Sequence, residues 1–392
     1  MSAPSSGANP GGANEIAEAA TRAGIRRVHA FAWRDLEDAE AGGSELFIAR
    51  VLEVWASCDL DITLRTSMVQ GRATRTTRAG YQVVRRSGRL SVFPRAIAGE
   101  MVGRNRPRPD AVLEAWNGIP FASPLWFRGP RVTVLHHVHE DMWPMALPGP
   151  LAKVGWFVEG TLAPPWYRNT PIVTNSVSSR DEIVARLGLP PEHITIAPPG
   201  VDPRWRPLDG TRADAPTVVA VGRLVPHKHF DELIRIAAEV RRSVPDLRLV
   251  IVGEGYERPH LETVSATVGG QEWISLPGRV SDDELRDLYR QAWVVAATST
   301  AEGFGMTLTE AAACGTPSVA TNVAGHCDAV IDGRSGLLCD DPAAMTEALR
   351  AVLTDTSLRD RLQRGALERA QELTWERAAA TVFAPLVEFR GR

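Results

Sequence analysis

Short apolar, β-branched runs alternate with amphipathic helical segments along almost all of this chain. One stretch breaks the alternation, Pro198-Pro199-Gly200-Val201-Asp202-Pro203. Proline fixes φ and lacks a backbone N–H, so this stretch continues neither a helix nor a central strand. It ends one folding unit and begins another. Before it, strands are expected at Arg27–Phe31, Asp61–Leu64, Ala111–Ala115, Arg131–Leu135, Ile172–Thr174 and Ile194–Ala197. After it they are expected at Thr217–Val221, Arg248–Val252, Trp273–Leu276, Trp293–Ala297, Ser318–Ala320 and Gly336–Leu338. Such alternation implies α/β architecture with mainly parallel sheets, because the crossover helices cover both faces. The 392 residues suit two Rossmann-like domains, 25–200 and 201–374, whose strand C-termini face a deep cleft. Residues 1–24 read as a disordered tail. Residues 375–392 read as a C-terminal helix that crosses back to the first domain.

Composition narrows the function classes. A net charge of −3 makes the whole molecule no polyanion binder, and nucleic acid is not an expected partner. Cys58, Cys314, Cys327 and Cys339 show no CxxC spacing, so a reducing, cytoplasmic setting without disulfides or structural zinc is expected. No run of 18 apolar residues is present to span a membrane. Of 44 basic residues only Lys153 and Lys228 are lysine, which lends Lys228 some weight where it stands beside a motif. Arg65 to Arg108 holds eleven arginines and one acid, Glu100. Such a run is commonly a solvated face; the alternative is a surface for anionic membrane, on the inner face of the cell membrane, or for a phosphorylated acceptor. Five tryptophans from Trp116 to Trp166, with the proline-rich Met142–Pro148, form a packed loop core or an acceptor groove.

The chemistry concentrates in the second half. Residues 302–310 read Glu-Gly-Phe-Gly-Met-Thr-Leu-Thr-Glu, between an apolar strand and a small-residue helix stopped by Gly315 and Pro317. The free N–H groups of such a helix start, aligned with its dipole, receive phosphate. A carboxylate there repels phosphate, so Glu302 and Glu310 are better suited to accept hydrogen bonds from hydroxyls. In Val221-Gly222-Arg223-Leu224-Val225-Pro226-His227-Lys228, two cations follow a strand, one a fork and one a point charge, as a diphosphate clamp needs. Gly253 lies in a lone GxG turn, and Arg279-Val280 follow a strand where backbone can meet a nucleobase edge. Ser281 and Glu284 form a capping box. His136, His137 and His139 cluster, but adjacent strand residues point to opposite sides, so no metal is expected there.

These motifs together resemble the family-four retaining glycosyltransferases of the GT-B fold, with their E-x7-E pattern. The resemblance rests on GGSE at 42–45, PPGVD at 198–202, VGRLVPHK at 221–228 and VGEG at 252–255. It continues through PGRVSDDEL at 277–285, EGFGMTLTEAAACGTP at 302–317 and DGRSGLL at 332–338. It covers about residues 25–390 and is denser in the second half. It implies that Arg223 and Lys228 hold the diphosphate of a UDP-, GDP- or ADP-sugar. Glu310 would take the ribose hydroxyls and Glu302 the donor sugar. Gly303, Phe304 and Gly305 would present backbone N–H groups, and Met306, Thr307 and Leu308 would crown the phosphate. Val280 and Arg279 would meet the base, Gly43 would approach the phosphate, and His136 would lie near the sugar.

The family departs here at His136-His137, Lys228-His229 and Pro199, where His-Asp, Lys-Gly and Asn are usual. The implied reaction is metal-independent hexosyl transfer, with retention, to a glycan, lipid-linked or small-molecule hydroxyl. Rival readings are a same-fold sugar phosphorylase or nucleotide-sugar epimerase. A reading of another class is a non-catalytic module that docks to anionic membrane or nucleic acid.

Overall fold

The computed structural model describes residues 11–103, 107–139, 143, 149–208, 210 and 212–389. It divides into unit 1, which runs to Gly200 and resumes at Trp375, and unit 2, Val201–Thr374.

Unit 1 contains α1 (Gly11–Ala23), β1 (Arg27–Phe31), α2 (Gly43–Ala56), β2 (Asp61–Thr66), β3 (Arg75–Arg78), β4 (Tyr81–Arg85) and α3 (Val92–Met101). It continues with β5 (Ala111–Ala115), β6 (Arg131–Val134), α4 (Gly149–Phe157), β7 (Ile172–Thr174), α5 (Val177–Leu187) and β8 (Ile194–Ile196). The sheet order is β3-β4-β2-β1-β5-β6-β7-β8, and β3–β4 is its antiparallel pair. The central strands are apolar on both faces, as helix-covered parallel strands must be: Val28, Ala30, Val112 and Leu113 are fully buried. On α2 the stripe Phe47, Ile48, Val51, Leu52 and Trp55 turns inward.

Two parts of unit 1 depart from the sequence reading. Residues 11–23 are a helix and not a disordered tail. Ile16 and Ala20 are buried, and a Cβ on Gly12 would come within 2.9 Å of Glu376 Cβ on the final helix. The arginine-rich run is not simply a solvated face, because it builds the β3–β4 hairpin and α3. Asp35, fully buried, accepts from Arg78 Nη2 at 2.7 Å and Arg85 Nη2 at 3.3 Å, and Glu37 accepts from Arg85 at 2.5 Å. Burial alone would raise the Asp35 carboxyl, but Arg78, the Glu37 amide and Arg85 hold it below the usual carboxylate range. Of Met142–Pro148 only Trp143 falls within the described residues, as do all of Arg65–Arg108 but 104–106. Trp143 is buried and donates its indole N–H to Glu159 at 2.7 Å, as a packed loop core would have it.

Unit 2 contains β9 (Thr217–Val221), α6 (Phe230–Arg241), β10 (Arg248–Val252), α7 (Arg258–Thr267), β11 (Ile274–Gly278), α8 (Asp282–Gln291) and β12 (Val294–Ala297). Then come α9 (Met306–Ala313), β13 (Ser318–Thr321), β14 (Gly336–Cys339), α10 (Pro342–Thr354) and α11 (Thr356–Glu372). All pairings in the order β11-β10-β9-β12-β13-β14 are parallel. This is the doubly wound order, in which consecutive connections reverse direction between β9 and β12. Val218, Val219, Ala220, Leu249 and Ile251 are fully buried between the helical layers. Each large apolar side chain so buried contributes roughly 1.5–3 kcal/mol. Helix α12 (Trp375–Glu388) returns the chain to unit 1, where Trp55 Nε1 donates to Ala379 O at 3.0 Å.

Candidate active site

The reversal between β9 and β12 leaves two loops side by side at their C-terminal ends, Gly222–His229 and Thr298–Gly305. Side-chain and backbone bonds tie them together. Thr298 Oγ1 donates to Lys228 O at 2.8 Å, and Thr300 N donates to His227 O at 3.0 Å. A third segment braces the first. Gly222 N donates to Val252 O, and Leu224 N donates to Glu254 O, both at 3.0 Å. The approach is so close that a Cβ on Gly253 would sit 1.8 Å from Gly222 O. Gly253, at φ 143°, is therefore required by a neighbouring backbone. Its amide donates to Gly278 O at 2.9 Å. That amide is thus engaged within the protein, and the expected donor-binding role of Gly253 does not run through it. The same bond sets Arg279 and Val280 beside this turn; Arg279 is exposed and Val280 half-buried.

Within this frame Lys228 reaches back past Gly222 and forms an ion pair with Glu302. Ser299 Oγ adds a hydrogen bond to the same Glu302 oxygen at 3.1 Å. Burial would raise the Glu302 carboxyl, but the charge and hydrogen bond of Lys228 pull it below the ordinary value. The cation and carboxylate assigned separate duties in the sequence thus meet at one point. Arg223 is exposed and has no carboxylate partner among the described residues.

Beneath the pair lies His326, 1% exposed. Its Nδ1 stands 3.0 Å from Thr321 O, and a carbonyl only accepts, so Nδ1 carries the proton. Burial keeps the ring below its ordinary pKa, against the pull of Glu302, so the imidazole is neutral with a bare Nε2. Thr321 Oγ1 in turn donates to Ser299 O at 2.6 Å. Gly325 packs directly against this loop, where a Cβ would lie 2.4 Å from Glu302 O.

Gly305, at φ 78°, caps α9 and aims its first amides outward. The Met306 and Thr307 amides have no protein acceptor among the described residues. The Leu308 N–H donates to Gly305 O at 3.0 Å, and its side chain is buried in the core. Phe304 anchors the loop in the same core, while Gly303 is exposed. One turn on, Glu310 is half-buried and receives a long hydrogen bond of 3.3 Å from Tyr289 Oη. Burial pushes its carboxyl up to about 8, aided by Asp282 and Asp202 and resisted by Tyr289 and Arg204.

Gly43 and His136 belong to unit 1. Gly43 opens α2, and Glu45 accepts from Gly42 N at 2.9 Å. His136 packs edge-on against Phe47, with ring centroids 4.7 Å apart. Burial lowers it to about 4, and neither ring nitrogen has a hydrogen-bond partner among the described residues. His137 packs against His139 instead, and no metal-type cluster occurs among the described residues. Sequence reasoning missed Ser299, Tyr289, Thr321 and His326. The Ala324-Gly325-His326 step beyond β13 was the available signal, a polar residue directly after a glycine at a strand end.

Residues 202–369 match the family described as glycosyl transferases group 1, and residues 41–205 the one described as Glycosyltransferase Family 4. D-inositol 3-phosphate glycosyltransferase of Acidothermus cellulolyticus is 37% identical over 225 residues, 52% of this chain and 50% of that one. Its counterpart from Streptomyces bingchenggensis is 28% identical over 389 residues, 87% and 83% of the two chains. The chain spans about half the length of most of the curated relatives it matches. Among solved structures, sucrose-phosphate synthase from Thermosynechococcus elongatus superposes with a TM-score of 0.75 at 20% identity, over 90% of this chain and 96% of that one. Anabaena HepE, in complex with UDP and glucose, gives 0.67 at 18% identity, over 93% and 98%. At these identities the structural likeness is one of fold.

Proposed function

Since this chain belongs to the family-four glycosyltransferases and has the GT-B fold, we propose that it moves a hexosyl unit from a nucleotide-diphosphate sugar to an acceptor hydroxyl, with retention and without a metal. The observation that carries the reading is the Lys228–Glu302 ion pair between the loops at the β9/β12 reversal, four residues ahead of the open helix start at Met306. As the sugar leaves, negative charge grows on the β-phosphate. Lys228, Arg223 and the two helix-start amides supply fixed positive potential for it. Glu302 holds a sugar hydroxyl and keeps Lys228 in place. Glu310 accepts from the ribose, and the segment at Arg279-Val280 borders the base. His136 and Gly43 are assigned to the sugar and phosphate by family analogy.

A UDP-sugar is the first donor to test, because HepE was solved with UDP and glucose. The name of the inositol-phosphate relatives puts a phosphorylated cyclitol among the acceptors to try. A thermal-shift panel of UDP-, GDP- and ADP-sugars should single out one base by raised melting temperature. Turnover of that donor should need an acceptor alcohol and be indifferent to added phosphate. Turnover that needs inorganic phosphate would make the protein a phosphorylase, and the lack of any nucleotide-sugar shift would remove the reading.

A further inference from the structure

A cavity of about 320 Å³ opens in unit 1 between the β2–β4 pair and α3. Val84, Val92, Ala96 and Val102 make its apolar wall, and Arg65, Arg86 and Arg95 its charged lining. The sheet register explains the clustering. Arg65 pairs with Val84 across β2–β4, and Val84 with Arg75 across β4–β3, so the three side chains stand in one row. Arg86, two residues beyond Val84, returns to that same face. From the helix side, Arg95 joins the lining.

This positive charge is poorly compensated. Arg65 donates Nε to buried Glu100 at 3.0 Å, and that carboxylate also meets His29 Nδ1 at 2.9 Å. The Nη groups of Arg65, and the whole of Arg86 and Arg95, have no carboxylate partner among the described residues. Burial lowers the Arg65 guanidinium, and Arg86 and Arg75 add repulsion against the pull of Glu100. Like charges gathered around a partly apolar hollow lower their energy by taking an anion. The volume falls in the range of small-molecule sites, beyond what inorganic phosphate fills. At the end of α3, Met101 and Val102 are 66% and 67% exposed, an apolar margin beside the charges.

We propose that this cavity binds a phosphoryl group carried on a small carbon skeleton, with Arg65, Arg86 and Arg95 receiving its oxygens. Guanidinium forks suit this task because each offers paired N–H donors to phosphate oxygens. Two sources share the chemistry, a soluble phosphomonoester and the headgroup of an anionic lipid. The binding assignment stands on unit 1 alone; its link to an acceptor rests on the transferase reading.

The test uses the full chain. Calorimetry with glycerol 3-phosphate and flotation with phosphatidylglycerol vesicles, against phosphatidylcholine, distinguish the two sources. At least one probe should bind, more weakly as salt rises. Arg86→Gln/Arg95→Gln should weaken that binding by about tenfold or more. Arg242→Gln, at an exposed position just past α6 in unit 2, should leave it unchanged. Arg95→Glu alone should act in the same direction, and melting curves check that each variant is folded. Binding of glycerol 3-phosphate assigns the soluble source, and binding of anionic vesicles alone assigns the lipid. No binding of either probe, or equal binding by the double variant, overturns the proposal. UDP-sugar affinity, measured in parallel, reports on the donor reading separately: its absence would remove that reading and leave this site standing.

Discussion

In the proposed reaction Lys228 has two duties that a single substitution confounds, because removing it would strip both the diphosphate and Glu302 of a cation. Lys228→Ala should lower kcat/KM by ~10²-fold. In a Glu302→Gln background the same change should still cost about tenfold; equal rates for Glu302→Gln and the double variant would reduce Lys228 to a partner of Glu302. Glu310 gives a pH signature. With its carboxyl near 8, it is mostly protonated at neutral pH, while ribose hydroxyls favour the ionised form. UDP-sugar affinity should therefore rise by about tenfold from pH 6.5 to pH 8, flatten above that, and be accompanied by proton release in calorimetry. Glu310→Gln should abolish the trend; a slope that survives there would assign it to another group. In the free protein the sign is that of a raised acid: stability falls as pH climbs from the ordinary carboxyl value through about 8. These two glutamates could be found from their spacing alone. His326 was harder to find, because its partner is the Thr321 carbonyl and only the Gly325-His326 step beyond β13 pointed to it.

At the scale of elements, unit 2 was legible because burial on both faces forces each strand into a continuous apolar run. The β3–β4 hairpin and α3 were hidden for the opposite reason. Arg78 and Arg85 look solvated until Asp35 and Glu37 are known to face them from more than forty residues upstream. Helix α1 has a short apolar stripe in a tail-like composition, and its partner α12 lies at the other end of the chain. The clamp loops carry a prediction of their own. Gly253→Ala combines φ 143° with a Cβ 1.8 Å from Gly222 O, so the β9 and β10 loops must part. We expect a loss of ~3 kcal/mol or more. That corresponds to a melting drop of roughly 6 °C or more, with donor affinity falling alongside it. A variant as stable as the parent would show that the loops part freely.

For the whole molecule, α12 is the part of unit 1 most distant in sequence from the rest. It covers Trp55 and Phe47, with ring centroids 5.3 Å from Trp55 to Phe383 and 6.0 Å from Phe47 to Trp375. A chain ended at Thr374 should expose both rings. Limited proteolysis should then cut preferentially within residues 11–200 and spare 201–374; equal resistance of the two would refute the dependence.

Val201 N donates to Leu373 O at 2.9 Å, so the polypeptide enters and leaves unit 2 through positions one hydrogen bond apart. A module with touching ends behaves like a cassette. It can be lifted out, replaced by a relative's, or joined end to end with little slack to close.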